Sequence, residues 1–451
     1  MVVGQFAVET ELAVVGGGAG GYAAALRAAK LGLSTILIDA SAETGAAAPG
    51  AGAASWTGLR RLREIVRLQA QAAQQGIKIA TSEINLPALQ ARMVESVKVA
   101  AERRQEQCRA AGVQLIEGSG RFTDTRQLAV HGDNNARIKF KKAIIATGAK
   151  PIPPAGGWPD SERVTDWFGA WRRARLPQSL LVIGGGSIAA EMAGGFAALG
   201  TTVCLAAPSE RILTTVDPQL TERVEQRLGK MLDDLWVQTT VTAMAEVADG
   251  VEVRFRGGSA PDSRVFEHVL VALGNEPHTA DLGLDKAKVE YHDDGSIRVD
   301  HQLRTTNPRI LAIGDVTGEP MLANKAAHQA RVAAKVAAGR DSVFEPQAVP
   351  RVIHTEPPIA WCGMAEADAM ATGTPHRART VAGPGDEVIK LLFDPDTKLL
   401  LGAGITGAGA AEMIGEAALA IEMGAVADDL SATMHPQPGL SGLIAEAAQG
   451  F

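Results

Sequence analysis

A chain of 451 residues exceeds what one core holds, because domains cluster at about 100–200 residues, so two large domains and a smaller third are expected. Apolar residues at 46%, charged residues at 21% and a net charge of −7 exclude extensive disorder, and without a long basic block they exclude a nucleic-acid binder. The three cysteines, Cys108, Cys204 and Cys362, form no closely spaced pair, which speaks against a disulfide framework or a cysteine-ligated metal and for a cytoplasmic location.

The first residues, Met1-Val-Val-Gly-Gln-Phe6, lack the basic start and apolar run of a signal peptide. The apolar stretch 12–26 is interrupted by glycines and is shorter than the roughly 20 residues of a membrane helix, so no membrane span is expected. It reads instead as a strand running into Gly16, Gly18 and Gly21, then a helix over 23–31. A second strand, 34–38, ends in Asp39. Strand, Gly-x-Gly-x-x-Gly, helix, strand and acid form a dinucleotide-binding unit with a physical reason at each position. Gly16 permits the tight turn, Gly18 lets backbone approach a pyrophosphate, Gly21 lets helix pack on strand, and Asp39 accepts from ribose hydroxyls.

Further along, a strand ends in Ala146-Thr147-Gly148, and the proline-rich stretch 150–154 reads as a linker. The glycine unit then recurs: strand 179–183, turn Gly184-Gly-Gly186-Ser187-Ile188-Ala189, helix 191–199 and strand 202–205. Two such units imply two nucleotides, most simply a bound FAD and a diffusing NAD(H) or NADP(H). In the second copy the ribose-acid position falls on Ala207, and Arg211 lies beyond the strand end. The pyrophosphate cradle is present without the ribose clamp, and the choice between NAD and NADP stays open. A strand over 309–313 ends in Gly314-Asp315, where the carboxylate can meet a ribitol or phosphate-linked hydroxyl. From about 346 the pattern changes to antiparallel strands at 352–355, 388–393 and 399–401, with helices 410–423 and 440–448 covering them. The fold class is therefore α/β, two Rossmann-like dinucleotide-binding domains plus a C-terminal α+β domain. No His, Cys or carboxylate group shows metal-ligand spacing.

In this order the residues resemble the flavoprotein disulfide reductases, the pyridine nucleotide-disulfide oxidoreductases, and among them most nearly the dihydrolipoamide dehydrogenases. The resemblance spans nearly the whole chain. It is carried by Gly20-Gly-Tyr-Ala-Ala-Ala-Leu-Arg-Ala-Ala29, Ala146-Thr-Gly148, Ala312-Ile-Gly-Asp-Val316, Pro320-Met-Leu-Ala-Asn-Lys-Ala326 and Ile359-Ala-Trp-Cys-Gly363. It implies an FAD-binding domain at 1–150 and 279–345, an NAD(P)-binding domain inserted at 151–278, and a dimerisation domain at 346–451. It also implies a homodimer in which the partner's C-terminal domain completes each active site. FAD would be held by Gly16, Gly18, Gly21, Asp39, Ala40, Gly45, Gly120, Ala146, Thr147, Gly148, Gly314 and Asp315, with Met321, Leu322 and Ala323 behind the isoalloxazine. The nicotinamide site would be lined by Gly184, Gly186, Ser187, Ile188, Glu191, Ala207 and Gly274.

The chain departs from the family where the chemistry sits. The family's redox pair, Cys-x4-Cys, belongs in the segment that here reads Gly45-Ala-Ala-Ala-Pro-Gly-Ala-Gly-Ala-Ala-Ser-Trp56. The cysteine positions fall on Ala47 and Gly52 and the following lysine on Trp56, and no cysteine precedes Cys108. The family's His-x-His-Pro-Thr-x-Ser-Glu reads His435-Pro-Gln437-Pro-Gly-Leu-Ser-Gly442, so the catalytic histidine is Gln437 and its orienting glutamate is Gly442. The flavin-adjacent histidine is Asn324. Dithiol chemistry needs one sulfur to attack the substrate and another to meet the flavin, and glutamine does not titrate.

The reading that follows is a homodimeric FAD-dependent NAD(P)H oxidoreductase that passes electrons directly to a non-disulfide acceptor, a small molecule or a protein. Candidate catalytic residues are Glu191, Trp56, His435 and Gln437. Trp56 either stacks on substrate or flavin or is ordinary core. Glu191, deprived of the family's lysine, is expected to have a raised pKa and to act as an acid or base; alternatively it merely stabilises a helix N-terminus. His435 is either structural or a proton carrier across the dimer, and His328 a surface or packing residue. Two other readings stand beside this one: a catalytically silent, flavin-bound subunit that binds a lipoyl domain or another protein, and an enzyme whose donor is not a nicotinamide.

Overall fold

The computed structural model describes residues 7–40, 61–62, 64–66, 68–69, 72, 75–77, 85–132, 135–157, 159, 161–171, 175–437 and 439–451. These residues form two compact units, one made of those lying within 1–58, 84–152 and 275–345, the other of those within 59–83, 153–274 and 346–451.

In the first unit the strand Val8–Val15 lies between Thr35–Asp39 and Ala136–Ile145, parallel to both. Gln114–Glu117 extends the sheet on one side, and Ile310–Ala312 pairs with the far half of Ala136–Ile145 on the other. The near half of that long strand joins an antiparallel meander with Gln127–His131 and Ser119–Asp124. Leu12, Val14, Leu37 and Leu311 fill the core on one face, and Ala13, Val15, Ile36 and Ile38 fill it on the other. Burial on both faces is why these strands read as unbroken apolar runs. The helix Ala19–Lys30 packs through Ala24, Ala25 and Ala28 in the same core as Ala330, Ala333 and Ala334 of the helix Ala323–Ala337. Leu86–Ala110 is a long helix capped by Asn85, whose side chain accepts the Ala88 N–H at 3.0 Å, with Pro87 in its first turn. It buries only Leu86 and Cys108, and Arg104 lies over the Tyr22 ring at 5.7 Å.

The second unit repeats the layout. Ser179–Ile183 lies between Thr202–Ala206 and His268–Val271, all parallel, with Asp234–Trp236 and Val164–Asp166 outermost. An antiparallel sheet of Thr240–Val247, Gly250–Arg256 and Ser263–Phe266 follows, with Trp236, Phe255 and Phe266 meeting edge to face. The C-terminal part is a five-stranded antiparallel sheet of Arg351–Ile353, Ile359–Gly363, Leu400–Thr406, Val388–Phe393 and Arg377–Ala382. The helices Ala410–Met423 and Gly442–Ala448 complete its core. The helix Pro218–Met231 presses on this sheet so closely that a Cβ on Gly404 would stand 2.2 Å from Leu220 Cδ1, and Thr406 Oγ1 donates to Leu220 O at 2.7 Å.

Three local features differ from expectation. Both glycine-loop helices start earlier than the apolar period indicates, at Ala19 and Ser187, because each loop runs straight into its helix. The proline-rich stretch after Gly148 is not only a linker, since Ala149–Pro151 pairs antiparallel with Asn275–Pro277.

Candidate nucleotide sites

The turn after Val8–Val15 is shaped by glycines with separate steric reasons. Gly16 has φ +107°, and a Cβ there would lie 2.3 Å from Ala146 O; a Cβ on Gly21 would lie 1.8 Å from Gly16 O. Both distances are far inside van der Waals contact, so only glycine fits. Around Gly18, by contrast, nothing lies within 4 Å of the Cβ position. That space faces the first N–H groups of Ala19–Lys30, where a pyrophosphate is stabilised by unpaired donors and the helix dipole. Gly16 N–H donates to Ile38 O at 2.9 Å and Ala146 N–H to Val15 O at 2.8 Å, tying three strand ends together. Asp39 rests over Gly17, its Oδ2 only 2.1 Å from where a Cβ would stand. Open space over Gly18, a helix N-terminus behind it and a carboxylate at the end of Thr35–Asp39 are features a dinucleotide site requires. A Gly16→Val variant is expected to express poorly and to carry little flavin, read as the ratio of flavin to protein absorbance. Backbone strain alone costs about 1–3 kcal/mol at such a position, before the clash with Ala146.

Thr147 Oγ1 donates to His278 O at 2.7 Å, and His278 N–H donates to Gly148 O at 2.9 Å, where Gly148 has φ +72°. Burial, with Lys150 adding to it, holds the His278 imidazole below its usual pKa. Gly314, at φ +77°, donates its N–H to Gln329 Oε1 at 2.7 Å, which fixes the turn that presents Asp315. Burial pushes the Asp315 carboxyl above the usual carboxylate range, opposed by the charge of Lys325. Lys325 is itself buried and donates to Gly318 O at 2.6 Å. A Cβ on Gly120 would stand 3.1 Å from Val15 Cγ1, so that strand also passes close to the loop. Ala40, Met321 and Leu322 are half-buried and Ala323 is exposed. Gln329, Lys325 and His278 escaped sequence reasoning. Only Lys325 had a signal, as a lysine inside the motif ending at Ala326. Gly45, Trp56 and the Ala47 and Gly52 positions lie outside the described residues.

The second loop has the same construction. Gly184, at φ +135°, would place a Cβ 2.2 Å from Ala272 O. Its N–H donates to Ala206 O at 2.8 Å, and Ala272 N–H donates to Ile183 O at 2.8 Å. Gly186 again faces open space, and exposed Ser187 and half-buried Ile188 open the helix Ser187–Ala198. The third glycine position is Ala189, fully buried. Gly274 has φ +109° at the turn after His268–Val271. Ala207 is buried behind Thr202–Ala206.

Glu191 is 4% exposed, and Oε1 accepts the His354 N–H at 2.7 Å. Because the helix starts at Ser187, Glu191 lies beyond the first turn, where the helix field fades, so stabilisation of a helix N-terminus does not account for it. His435 Nε2 lies 2.8 Å from Glu416 Oε1 and Nδ1 lies 2.9 Å from Thr433 O, with its side chain 6% exposed. Both ring nitrogens therefore face acceptors within the chain. Gln437 is exposed, its Nε2 3.3 Å from the Cβ position of Gly442. His328 meets Phe344 edge to face at 5.5 Å.

All three cysteines are free and buried. Burial raises the Cys108 thiol pKa and pushes those of Cys204 and Cys362 up to about 12. The pairing of Cys204 with Asp234 brings the ligand atoms of Cys204, Asp233 and Asp234 within 4.8 Å of one another, a cluster the linear spacing hid. Arg264 donates to Asp233 at 2.7 Å and to Asp234 at 3.1 Å, so these carboxylates are already engaged by a cation.

Two glycine-loop units of one design, followed by an antiparallel sheet covered by helices, define an α/β protein with two Rossmann-like units. Residues 10–330 match the family described as pyridine nucleotide-disulphide oxidoreductase, and residues 349–448 match its dimerisation domain. The chain belongs to this family of FAD- and NAD(P)-dependent oxidoreductases. It is 33% identical over 460 residues to the dihydrolipoyl dehydrogenase of Haemophilus influenzae, covering 98% of this chain and 95% of the relative. It is 34% identical over 468 residues to dihydrolipoyl dehydrogenase 2 of Haloarcula marismortui, covering 99% and 98%. The crystal structure of LpdA from Mycobacterium tuberculosis superposes with a TM-score of 0.88 at 25% identity, over 97% of this chain and 99% of LpdA. Among the described residues no helix is long and apolar enough to cross a membrane.

Proposed function

We propose that this chain is an FAD-dependent NAD(P)H oxidoreductase that delivers electrons to a non-disulfide acceptor, a small molecule or a redox protein. The names of its relatives point to lipoamide. The observation that carries the other reading is that no cysteine precedes Cys108 and that the cysteines present are buried, high-pKa thiols. When bound, FAD would supply two-electron redox chemistry between nucleotide and acceptor.

In this reading the domains run 1–150 with 279–345 for FAD, 151–278 for the nicotinamide nucleotide and 346–451 for the dimer interface. Gly16, Gly18, Gly21 and Asp39 hold the FAD diphosphate and ribose, and Thr147, Gly148, Gly314 and Asp315 complete the cradle. Gly184, Gly186, Ser187 and Ile188 hold the second pyrophosphate. Glu191 is the remaining candidate for proton handling: it is a buried carboxylate oriented by the His354 N–H. His435, with both nitrogens turned to Glu416 and Thr433, serves structure, and Gln437 holds no proton to give. Trp56, outside the described residues, keeps both of its readings, stacking on substrate or flavin and ordinary core.

The test is an anaerobic titration of the purified protein with NADH, then NADPH, following the flavin spectrum. Stoichiometric bleaching, without the long-wavelength absorbance of a thiolate against the ring, is the expected result. A flavin band that neither nucleotide bleaches would leave the silent-subunit or alternative-donor reading. If Glu191 handles protons, Glu191→Gln should lower turnover by roughly 10²-fold or more; unchanged turnover removes that role.

The dimerisation domain carries exposed Leu419 (63%), Met423 (75%) and Met434 (96%), apolar surface of the kind an interface covers. A Leu419→Asp, Met423→Asp double variant is expected to run as a monomer in light scattering at micromolar concentration. An unchanged dimer would place the interface elsewhere.

A further inference from the structure

The chain builds the same loop twice, and the copies differ in what lies over the middle glycine. At Gly17 the neighbour is the Asp39 carboxylate, with Oδ2 and Oδ1 2.1 and 2.7 Å from the Cβ position. At Gly185 the neighbours are Ala207 Cβ and Ser209 Oγ, both at 3.1 Å. The place a ribose-holding carboxylate takes in the first loop is closed by a methyl group in the second.

A nucleotide carrying a 2′-phosphate would need a cation there, and Arg211 is the sole Lys or Arg in 207–216. Its guanidinium is engaged elsewhere. Nη2 donates to Val216 O at 2.8 Å and to Thr214 O at 3.4 Å. Nη1 donates to Leu213 O at 3.3 Å, Thr221 Oγ1 at 3.3 Å and Ile212 O at 3.4 Å, with Glu225 Oε1 3.6 Å away. These bonds hold a turn in which Leu213 has φ +54° and donates its N–H to Gly185 O at 2.7 Å. Swinging Arg211 out to a ligand would strip the carbonyls of that turn and loosen the loop that supports Gly185. Arg211 is a positioning residue. Glu210 is the one acid of 207–216, and it is exposed.

From this we infer that the second site takes NAD and NADP with near-equal affinity. It has neither the carboxylate that rejects a 2′-phosphate nor an available cation that demands one, and Ala207 is the residue that sets this indifference. The inference rests on the reading that this loop binds a nicotinamide nucleotide.

The test is calorimetric titration of the FAD-loaded protein with NAD⁺ and with NADP⁺ at one ionic strength. The two dissociation constants should agree within about fivefold, a difference near 1 kcal/mol. Ala207→Asp should weaken NADP⁺ by roughly tenfold or more while leaving NAD⁺ equal or tighter. Arg211→Gln should weaken both nucleotides by one factor and leave their ratio unchanged. A preference above about 30-fold in the unaltered chain, a selective loss of NADP⁺ in Arg211→Gln, or a selective loss of NAD⁺ in Glu210→Gln would each overturn the inference. Absence of binding by either nucleotide would instead overturn the nicotinamide reading on which it rests.

Discussion

Lipoamide and other disulfides are expected to go unreduced by this protein, while ferricyanide or a quinone drains electrons from it under the same NAD(P)H supply. The attacking species in disulfide exchange is the thiolate. Cys204 and Cys362, their thiols pushed up to about 12 by burial, stay protonated near neutral pH, and both are buried. The proton side is equally bare, because Gln437 stands at the histidine position of the family motif and Gly442 at its glutamate. Restoring parts of the apparatus tests this in steps. Ala47→Cys with Gly52→Cys returns two sulfurs and should give new long-wavelength absorbance on reduction, yet little lipoamide turnover. Adding Gln437→His and Gly442→Glu should raise that turnover by roughly 10²- to 10⁴-fold, the usual worth of a positioned acid–base group. The second pair is geometrically plausible because the Cβ position of Gly442 already lies 3.3 Å from the residue 437 side chain. Lipoamide turnover by the unaltered protein at the rate it shows with ferricyanide would sink the proposal.

What the sequence made legible was local. The first loop could be read residue by residue because Gly16, Gly18, Gly21 and Asp39 act within one strand–turn–helix–strand, and each steric role is carried by a short stretch of chain. The missing acid at Ala207 was legible for the same reason. What escaped was assembled from distant segments, or carried no period. Helix Leu86–Ala110 buries only two residues, so no apolar stripe announced it, although Asn85 and Pro87 were start signals in plain view. Gln329 fixing Gly314, and His354 reaching Glu191, join segments that no spacing rule connects. The cluster of Cys204 with Asp233, Asp234 and Arg264 exists only because two strands pair in register. From the sequence Arg211 could be placed only beyond the strand end; its five hydrogen bonds within the chain emerge once the turn around it is folded.

Replacing Lys390 by methionine is expected to be among the most destabilising single changes in the molecule. Lys390 sits in the middle of the strand Val388–Phe393, 3% exposed. Its Nζ lies 2.6 Å from Glu366 Oε2, 2.9 Å from Asp217 Oδ2 and 3.2 Å from Gln219 Oε1, so all three ammonium protons are used. The cluster joins three pieces of sequence: the start of Pro218–Met231, the start of the helix Glu366–Thr372, and the C-terminal sheet. It also borders a small pocket lined by Leu220 and Cys362. Assembling such a group contributes little net stability, since desolvation offsets the Coulomb attraction. Removing the cation alone is another matter, because two carboxylates then stay partly buried without it, at a cost of about 3–5 kcal/mol, or roughly 10 °C in Tm for a domain of this size. Adding Asp217→Asn and Glu366→Gln to the methionine variant removes the stranded charges and should restore most of the lost Tm at pH 7. If the triple variant is no more stable than Lys390→Met, the penalty lies in packing around the strand and not in the electrostatics of the cluster.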